Sequence, residues 1–252
     1  MRLILVRHGQ TPSNIERLLD TGAPGPGLTE LGLAQAAALP QALGYEQISG
    51  VYASNLIRTQ LTAAPLADAL AQPIEVRDGL REISAGSLEM RGDSESIQAY
   101  LRTVYAWVQG DLSVAMPGGP DGAETLGRFD EVVSELQGTG QQTPVIFSHG
   151  AIIRAWSTAR ARNVGPDFIV HNTLSNTGIV VLESTPRPDA QGHAWDLLTW
   201  QGEAVGGAAL EDPDTDGPAA DDVERAPSPG FRRNRDGGAP RIRGAPPSLC
   251  PA

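Results

Sequence analysis

The chain has 252 residues, 40% of them apolar and 5% aromatic, with 30 acidic against 19 basic side chains and a net charge of −11. Every basic residue is an arginine, which excludes a lysine Schiff base or a P-loop lysine, and the acidity argues against nucleic acid or an anionic membrane surface as a partner. The single cysteine, Cys250, rules out an internal disulfide framework and any cysteine-rich metal site.

Leu3 to Val6 is a continuous apolar run of the kind shown by a strand covered on both faces. A helix is expected from Thr29, a capping residue, through the Ala/Leu-rich stretch that Pro40 should kink or end. Val51 to Ala53 reads as a second strand, and Asn55 to Leu70 as a helix interrupted at Pro65. Ser94 to Val108 and Glu124 to Leu136 follow as helices, Val145 to Phe147 as a third strand, and a further helix begins after Gly150. Ile179 to Leu182 and Trp195 to Trp200 supply late strands. Strands separated by helices of this size predict an α/β three-layer sandwich, with a mostly parallel central sheet flanked by helices.

The composition shifts after Gly202. Residues 203–252 are rich in glycine and proline, contain one aromatic, Phe231, and are expected to form a disordered low-complexity tail on a domain of residues 1–202. Acidic residues crowd the first half of that tail and arginines the second, a pattern read as a solvated tail in preference to a docking arm. No apolar run approaches a membrane span, and Leu3 to Val6 gives way directly to Arg7 and His8, so a soluble, cytoplasmic protein is expected. Nothing in the sequence sets an oligomeric state.

In open α/β sheets ligands bind outside the carboxyl ends of the strands. The first run ends in Arg7-His8-Gly9-Gln10-Thr11, the second in Ser54 with Arg58 four residues on, and the third in Ser148-His149-Gly150. Two imidazoles and two guanidiniums therefore arrive at one sheet edge, in a chain with only four histidines. Guanidinium forks bind tetrahedral oxyanions through paired hydrogen bonds, and a neutral imidazole beside them can attack phosphorus. Gly9 would permit a tight turn and close approach of main chain to the phosphate. The first N–H groups of a helix starting at Gly150 would add attraction for the anion.

These motifs resemble the histidine phosphatase superfamily, also called phosphoglycerate mutase-like. The resemblance rests on Leu5-Val6-Arg7-His8-Gly9-Gln10-Thr11 with Asn14, Ser54-Asn55-Leu56-Ile57-Arg58-Thr59, Leu80-Arg81-Glu82-Ile83 with Gly86, and Ser148-His149-Gly150, in that order. It implies His8 as the nucleophile, Arg7 and Arg58 as phosphate clamps, and His149 as a hydrogen-bond donor to the transferring phosphoryl group. It implies Thr11 and Asn14 as lesser members of the phosphate pocket, Glu82 as the proton donor, and no metal or organic cofactor. Gln10 stands where many members carry Glu, Leu61 where Gln is common, and Glu89-Met90 where an acidic-glycine pair is usual. Gly122-Ala123-Glu124-Thr125 resembles the family's Gly-Gly-Glu-Ser loop, shifted around Pro120.

Either histidine alone is compatible with a structural role, Arg7 with a snorkelling strand end, Arg58 with a surface ion pair, and Glu82 with a solvated loop. Their joint occurrence favours a site, and the adjacent arginines disfavour a metal at His8 and His149. His171 and His193 fall outside every motif and are read as structural or surface residues. The expected activity is hydrolysis of a small phosphomonoester, the partner a small phosphorylated metabolite. A phosphoglycerate mutase-type transfer is less favoured because only about forty residues separate Glu82 from Glu124, leaving little for a covering segment. A non-catalytic phosphoryl-binding module would not need His8 and Glu82. Substrate selection is expected from the stretch between Gly86 and Gly122, where Arg91, Tyr100, Arg102, Tyr105 and Trp107 offer charge and stacking surface.

Overall fold

A computed structural model describes residues 1–190, 192, 194–212, 217 and 218. Its strands are β1 (Arg2–Arg7), β2 (Gly50–Ala53), β3 (Ile74–Val76), β4 (Pro144–Ser148), β5 (Ile179–Ser184) and β6 (Trp195–Gln201), forming one sheet in the order β3-β2-β4-β1-β5-β6. β1 runs parallel to β4, β4 to β2 and β2 to β3, while β5 is antiparallel to both β1 and β6. Among the described strands, β5 alone opposes the rest.

Alternation along β1 explains why its residues are all apolar. Leu3 and Leu5 join one buried cluster and Ile4 and Val6 another, so each sheet face needs its own cover. Helices α2 (Glu30–Leu43) and α3 (Ile57–Leu70) cover the Ile4 and Val6 face through Leu39, Leu43, Ala63 and Leu66. Helices α4 (Ser94–Val108), α5 (Gly122–Gly138) and α6 (Gly150–Arg160) cover the other through residues such as Trp107, Phe129 and Trp156. The expected three-layer α/β architecture is the one observed. Two short helices, α1 (Pro12–Ile15) and α7 (Phe168–His171), complete the set of described α-helices.

Neither proline ends its helix: α2 continues past Pro40 to Leu43, and α3 past Pro65 to Leu70. Each proline removes one backbone donor, but buried Leu39 and Leu43, and buried Leu66 and Ala67, hold the turns around it against the sheet. β3 carries no apolar run because it is a three-residue edge strand whose Glu75 and Val76 are exposed.

The packed chain also continues past Gly202. Ala204 and Val205 are buried, Val205 within the cluster containing Ile179 and Val181, and a 3-10 turn spans Ala208–Leu210. The expected boundary at residue 203 is therefore corrected through residue 212: these residues add to an existing core and need not build one. Apart from Gly217 and Pro218, the remainder of the expected tail lies outside the described residues, as does His193. His171 is exposed. No helix among the described residues is long and apolar enough to cross a membrane.

Candidate active site

Arg7 ends β1 and His8 follows it; Ser54 follows β2; Ser148 ends β4 and His149 follows it. Because β1, β2 and β4 are parallel, these ends meet at one sheet edge. Arg7, His8, Arg58 and His149 are buried there, at 4%, 4%, 3% and 0% exposure. The two imidazole centroids lie 5.2 Å apart with their planes at 61°. Arg7, His8, Thr11, Asn14, Arg58, Glu82 and Gly150 all line one cleft of about 480 Å³. His149 is absent from its walls and touches the site through His8 and Arg58.

His8 Nδ1 lies 2.8 Å from the carbonyl oxygen of Gly9. A carbonyl can only accept, so Nδ1 carries the proton and Nε2 holds the lone pair. Burial, then the charges of Arg58 and Arg7, push the His8 pKa well below its ordinary 6.5, which keeps the ring neutral at neutral pH. His149 Nδ1 accepts from Arg58 Nε at 3.3 Å, which leaves its proton on Nε2, 2.8 Å from Ser54 Oγ. Burial, then Arg58, also lowers the His149 pKa well below 6.5.

Arg58 donates from Nη2 to the carbonyl of Asp20 at 2.9 Å, and its Nη1 lies 3.9 Å from an Asp20 carboxylate oxygen. Arg7 donates from Nη1 to the Leu174 carbonyl at 2.5 Å. Gly150 faces the Arg7 guanidinium so closely that a Cβ would sit 3.1 Å from Nε. Thr11 and Asn14 form a capping box on α1: Asn14 Oδ1 accepts from the Thr11 N–H and hydroxyl, both at 3.0 Å, and the Asn14 N–H donates to Thr11 Oγ1 at 3.2 Å. With Oδ1 so occupied, Asn14 presents its Nδ2 donor.

Glu82 reaches the N-terminus of α6, where His149 is the N-cap residue but caps nothing with its side chain. Glu82 Oε1 accepts from the N–H groups of Ile83 at 2.8 Å and Ile152 at 2.9 Å, and Oε2 from that of Ala151 at 3.1 Å. A protein carboxylate thus takes the anion position that the sequence reading gave to substrate, and that expectation is corrected for Ala151 and Ile152. Gly9 is corrected as well. Its N–H donates to Thr62 Oγ1 at 2.9 Å, and a Cβ there would sit 2.7 Å from the Gly32 carbonyl, so glycine is required for contact with α2.

Several contributors carry no sequence motif. Asn176 Nδ2 donates to the His8 carbonyl at 3.0 Å and to Asn14 Oδ1 at 3.3 Å. It precedes β5, whose reversed direction brings its amino end to the edge where the other strands deliver their carboxyl ends. Arg128 on α5 donates to the carbonyls of Gly79 and Arg81, each at 2.7 Å, and of Glu82 at 2.8 Å, fixing the loop that carries Glu82. Burial, then the charge of Arg81, lowers its pKa to about 10, leaving it charged at neutral pH. Of the residues expected to select substrate, Tyr100 lines the cleft. Arg91 instead pairs with Asp93 at 2.9 Å, Arg102 is exposed, Tyr105 bonds Asp167 at 2.9 Å, and Trp107 is buried with its N–H on the Val114 carbonyl.

The sequence model of the histidine phosphatase superfamily, branch 1, matches residues 3–200. The chain belongs to the histidine phosphatase superfamily. The PE-PGRS family protein PE_PGRS11 of Mycobacterium tuberculosis is 38% identical over 221 residues, 81% of this chain but 37% of that protein. Phosphoserine phosphatase 1 of Hydrogenobacter thermophilus is 32% identical over 160 residues, covering 62% of this chain and 74% of the relative. A solved histidine phosphatase structure, mycobacterial glucosyl-3-phosphoglycerate phosphatase in complex with VO3, matches with a TM-score of 0.65 and 25% identity over 80% of this chain and 99% of that one.

Proposed function

We propose that the chain is a phosphatase that hydrolyses a small phosphomonoester in two steps through His8. In the first, the Nε2 lone pair attacks phosphorus, the N–P bond forms as the ester P–O bond breaks, and the leaving oxygen takes a proton from Glu82. In the second, the Glu82 carboxylate takes a proton from water, whose oxygen attacks the phosphohistidine and releases inorganic phosphate and free His8. Arg7, Arg58, Asn14 and Thr11 hold the phosphoryl oxygens, with Gly150 giving Arg7 its room. An entering phosphoryl charge offsets the burial and the arginine charges that depress His149, so that its ring takes up a proton at Nδ1, once Arg58 Nε turns from that atom to the phosphoryl oxygens, and donates a hydrogen bond to the transferring group. The cytoplasm is the expected compartment for this reaction.

One observation carries this assignment: the Gly9 carbonyl holds the His8 proton on Nδ1, leaving a neutral Nε2 nucleophile in a cleft walled by Arg7 and Arg58. Phosphatase relatives acting on phosphoserine and glucosyl-3-phosphoglycerate support a compact phosphomonoester as the substrate class. The test is release of phosphate from p-nitrophenyl phosphate by wild type and His8→Ala. Loss of about a thousandfold or more in the variant is expected for removal of a covalent nucleophile, and equal turnover would overturn the mechanism. Incubation with 3-phosphoglycerate and a bisphosphoglycerate primer separates hydrolysis from transfer: isomer formation exceeding phosphate release would reassign the chain as a mutase.

A further inference from the structure

Glu89 does not line the cleft, but its carboxylate grips a loop that does. Oε1 accepts from the N–H groups of Thr21 at 2.8 Å and Gly22 at 3.0 Å, and Oε2 accepts from the Thr21 hydroxyl. Thr21 Oγ1 in turn accepts from the Ala85 N–H at 3.0 Å. Main chain adds to the grip: the Met90 N–H donates to the Leu19 carbonyl and the Leu19 N–H to the Arg91 carbonyl, each at 2.9 Å. Met90 turns the chain for this pairing with a φ of +58°, a conformation that glycine adopts freely and methionine at a cost. The acidic-glycine pair usual at this point is therefore changed in its side chain and kept in its backbone shape.

The gripped loop supports Arg58. Asp20 lies between Leu19 and Thr21, and its carbonyl accepts from Arg58 Nη2 at 2.9 Å. That acceptor is main chain, so its place is set by what holds residues 19–22, whereas the bond from Ser13 Oγ to Asp20 Oδ2 at 2.5 Å fixes the side chain. Burial disfavours the Arg58 charge, and the carboxylates of Asp20, Glu82 and Glu89 oppose that effect. The loop carrying Glu82 depends less on Thr21. Arg128 holds the carbonyls of Gly79, Arg81 and Glu82, and the Tyr100 hydroxyl donates to that of Ile83 at 3.2 Å.

We propose that Glu89 is a positioning residue for Arg58: by gripping Thr21 and Gly22 it holds the Asp20 carbonyl against Nη2 and so anchors the guanidinium beside the phosphoryl site. The proposal deepens the phosphatase reading and rests on it for the identity of the ligand. Without the carboxylate, two N–H groups and a hydroxyl lose their acceptor, residues 20–22 move away from α3, and Arg58 spends part of its binding to phosphate on being ordered. The effect reaches the ligand through Arg58 and leaves Arg7, held by the Leu174 carbonyl, as it was.

The test uses full-length protein and calorimetric Kd values for inorganic phosphate, a readout that needs no turnover. Glu89→Ala should weaken phosphate about tenfold, within the range of coupling inside one hydrogen-bond network. Combined with Arg58→Lys it should cost nothing further, whereas combined with Arg7→Lys it should cost its full factor. A residue that only stabilised the fold would act equally on both backgrounds. Glu89→Gln keeps one acceptor oxygen and should lose less than the alanine variant; it carries the same cycle if Glu89→Ala does not fold. Unchanged affinity in the folded variants overturns the proposal, and so does a loss of the same size whichever arginine is replaced. Phosphate release from p-nitrophenyl phosphate, followed in parallel, reports on the catalytic reading separately: its absence in wild type that binds phosphate would sink hydrolysis while the affinities still judge Glu89.

Discussion

Arg58 donates from Nε to the Nδ1 of His149 across 3.3 Å while its Nη2 holds the Asp20 carbonyl at 2.9 Å. One planar fork therefore sets the tautomer of a buried imidazole and ties it to the loop on the opposite side of the cleft. A lysine at this position would keep the charge but concentrate it at one point, unable to meet both acceptors. Arg58→Lys is expected to lower kcat/KM for p-nitrophenyl phosphate about a hundredfold, the scale of losing preorganised donors at a phosphoryl group. Wild-type kcat/KM in a folded variant would refute the assignment.

The depressed pKa values of His8 and His149 have a consequence for stability. Below pH 6.5 an unfolded histidine takes up a proton that the folded rings refuse, because burial and Arg58 disfavour the charged form. The unfolded state then binds more protons, so stability rises with pH in this window and is lost as pH falls below 6.5. Between pH 7 and 5.5 each such histidine removes about 1 kcal/mol. Urea unfolding of wild type and His8→Ala at both values should show a loss smaller by about that amount in the variant. Equal losses would mean that His8 is not held neutral. Activity should likewise persist below pH 6.5, since the nucleophile stays unprotonated there.

Gly9 follows the nucleophile, and its alanine variant tests whether the residue serves packing or phosphate. The added methyl group would meet the Gly32 carbonyl at 2.7 Å, backbone against backbone, in a place where Gly9 also bonds Thr62. Gly9→Ala is expected to cost about 1–3 kcal/mol in denaturant unfolding, through overpacking, and to lower activity by shifting His8. Unchanged stability with lost activity would restore the phosphate-approach role expected from the sequence.

The strand ends were legible because β1, β2 and β4 announce themselves as apolar runs followed at once by Arg7-His8, Ser54 and His149, and the parallel-sheet rule then brings them together. Asn176 escaped the same rule. It sits at the amino end of β5, and no residue near it signals that this strand runs backwards. Arg128 was hidden differently: its partners are main-chain carbonyls of Gly79, Arg81 and Glu82, and backbone acceptors leave no trace in residue identity. Past Gly202 the glycine and proline content obscured Ala204 and Val205, whose burial depends on a gap between existing elements. Composition measures what a segment can bury alone, and these residues bury themselves against something already built.

Glu82 combines a chemical and a structural duty, and two substitutions separate them. Its carboxylate caps α6 through the N–H groups of Ala151 and Ile152, because the side chain of the N-cap residue His149 is turned toward Ser54 and Arg58. Glu82→Ala removes both the proton donor and the cap, leaving the N–H groups of Ile83, Ala151 and Ile152 without their acceptor, and should cost about 1–2 kcal/mol in denaturant unfolding as well as activity. Glu82→Gln keeps one carbonyl oxygen for the helix but has no acidic proton to give, so stability should fall between wild type and the alanine variant while turnover falls in both. The leaving group sharpens the distinction. An ester whose alcohol has a low pKa departs without protonation, so the glutamine variant should lose less activity on p-nitrophenyl phosphate than on an alkyl phosphate such as glycerol phosphate. A proton donor predicts that divergence, whereas a residue acting only as a helix cap predicts equal loss on both substrates. Equal loss would leave Glu82 its structural role and remove it from the chemistry.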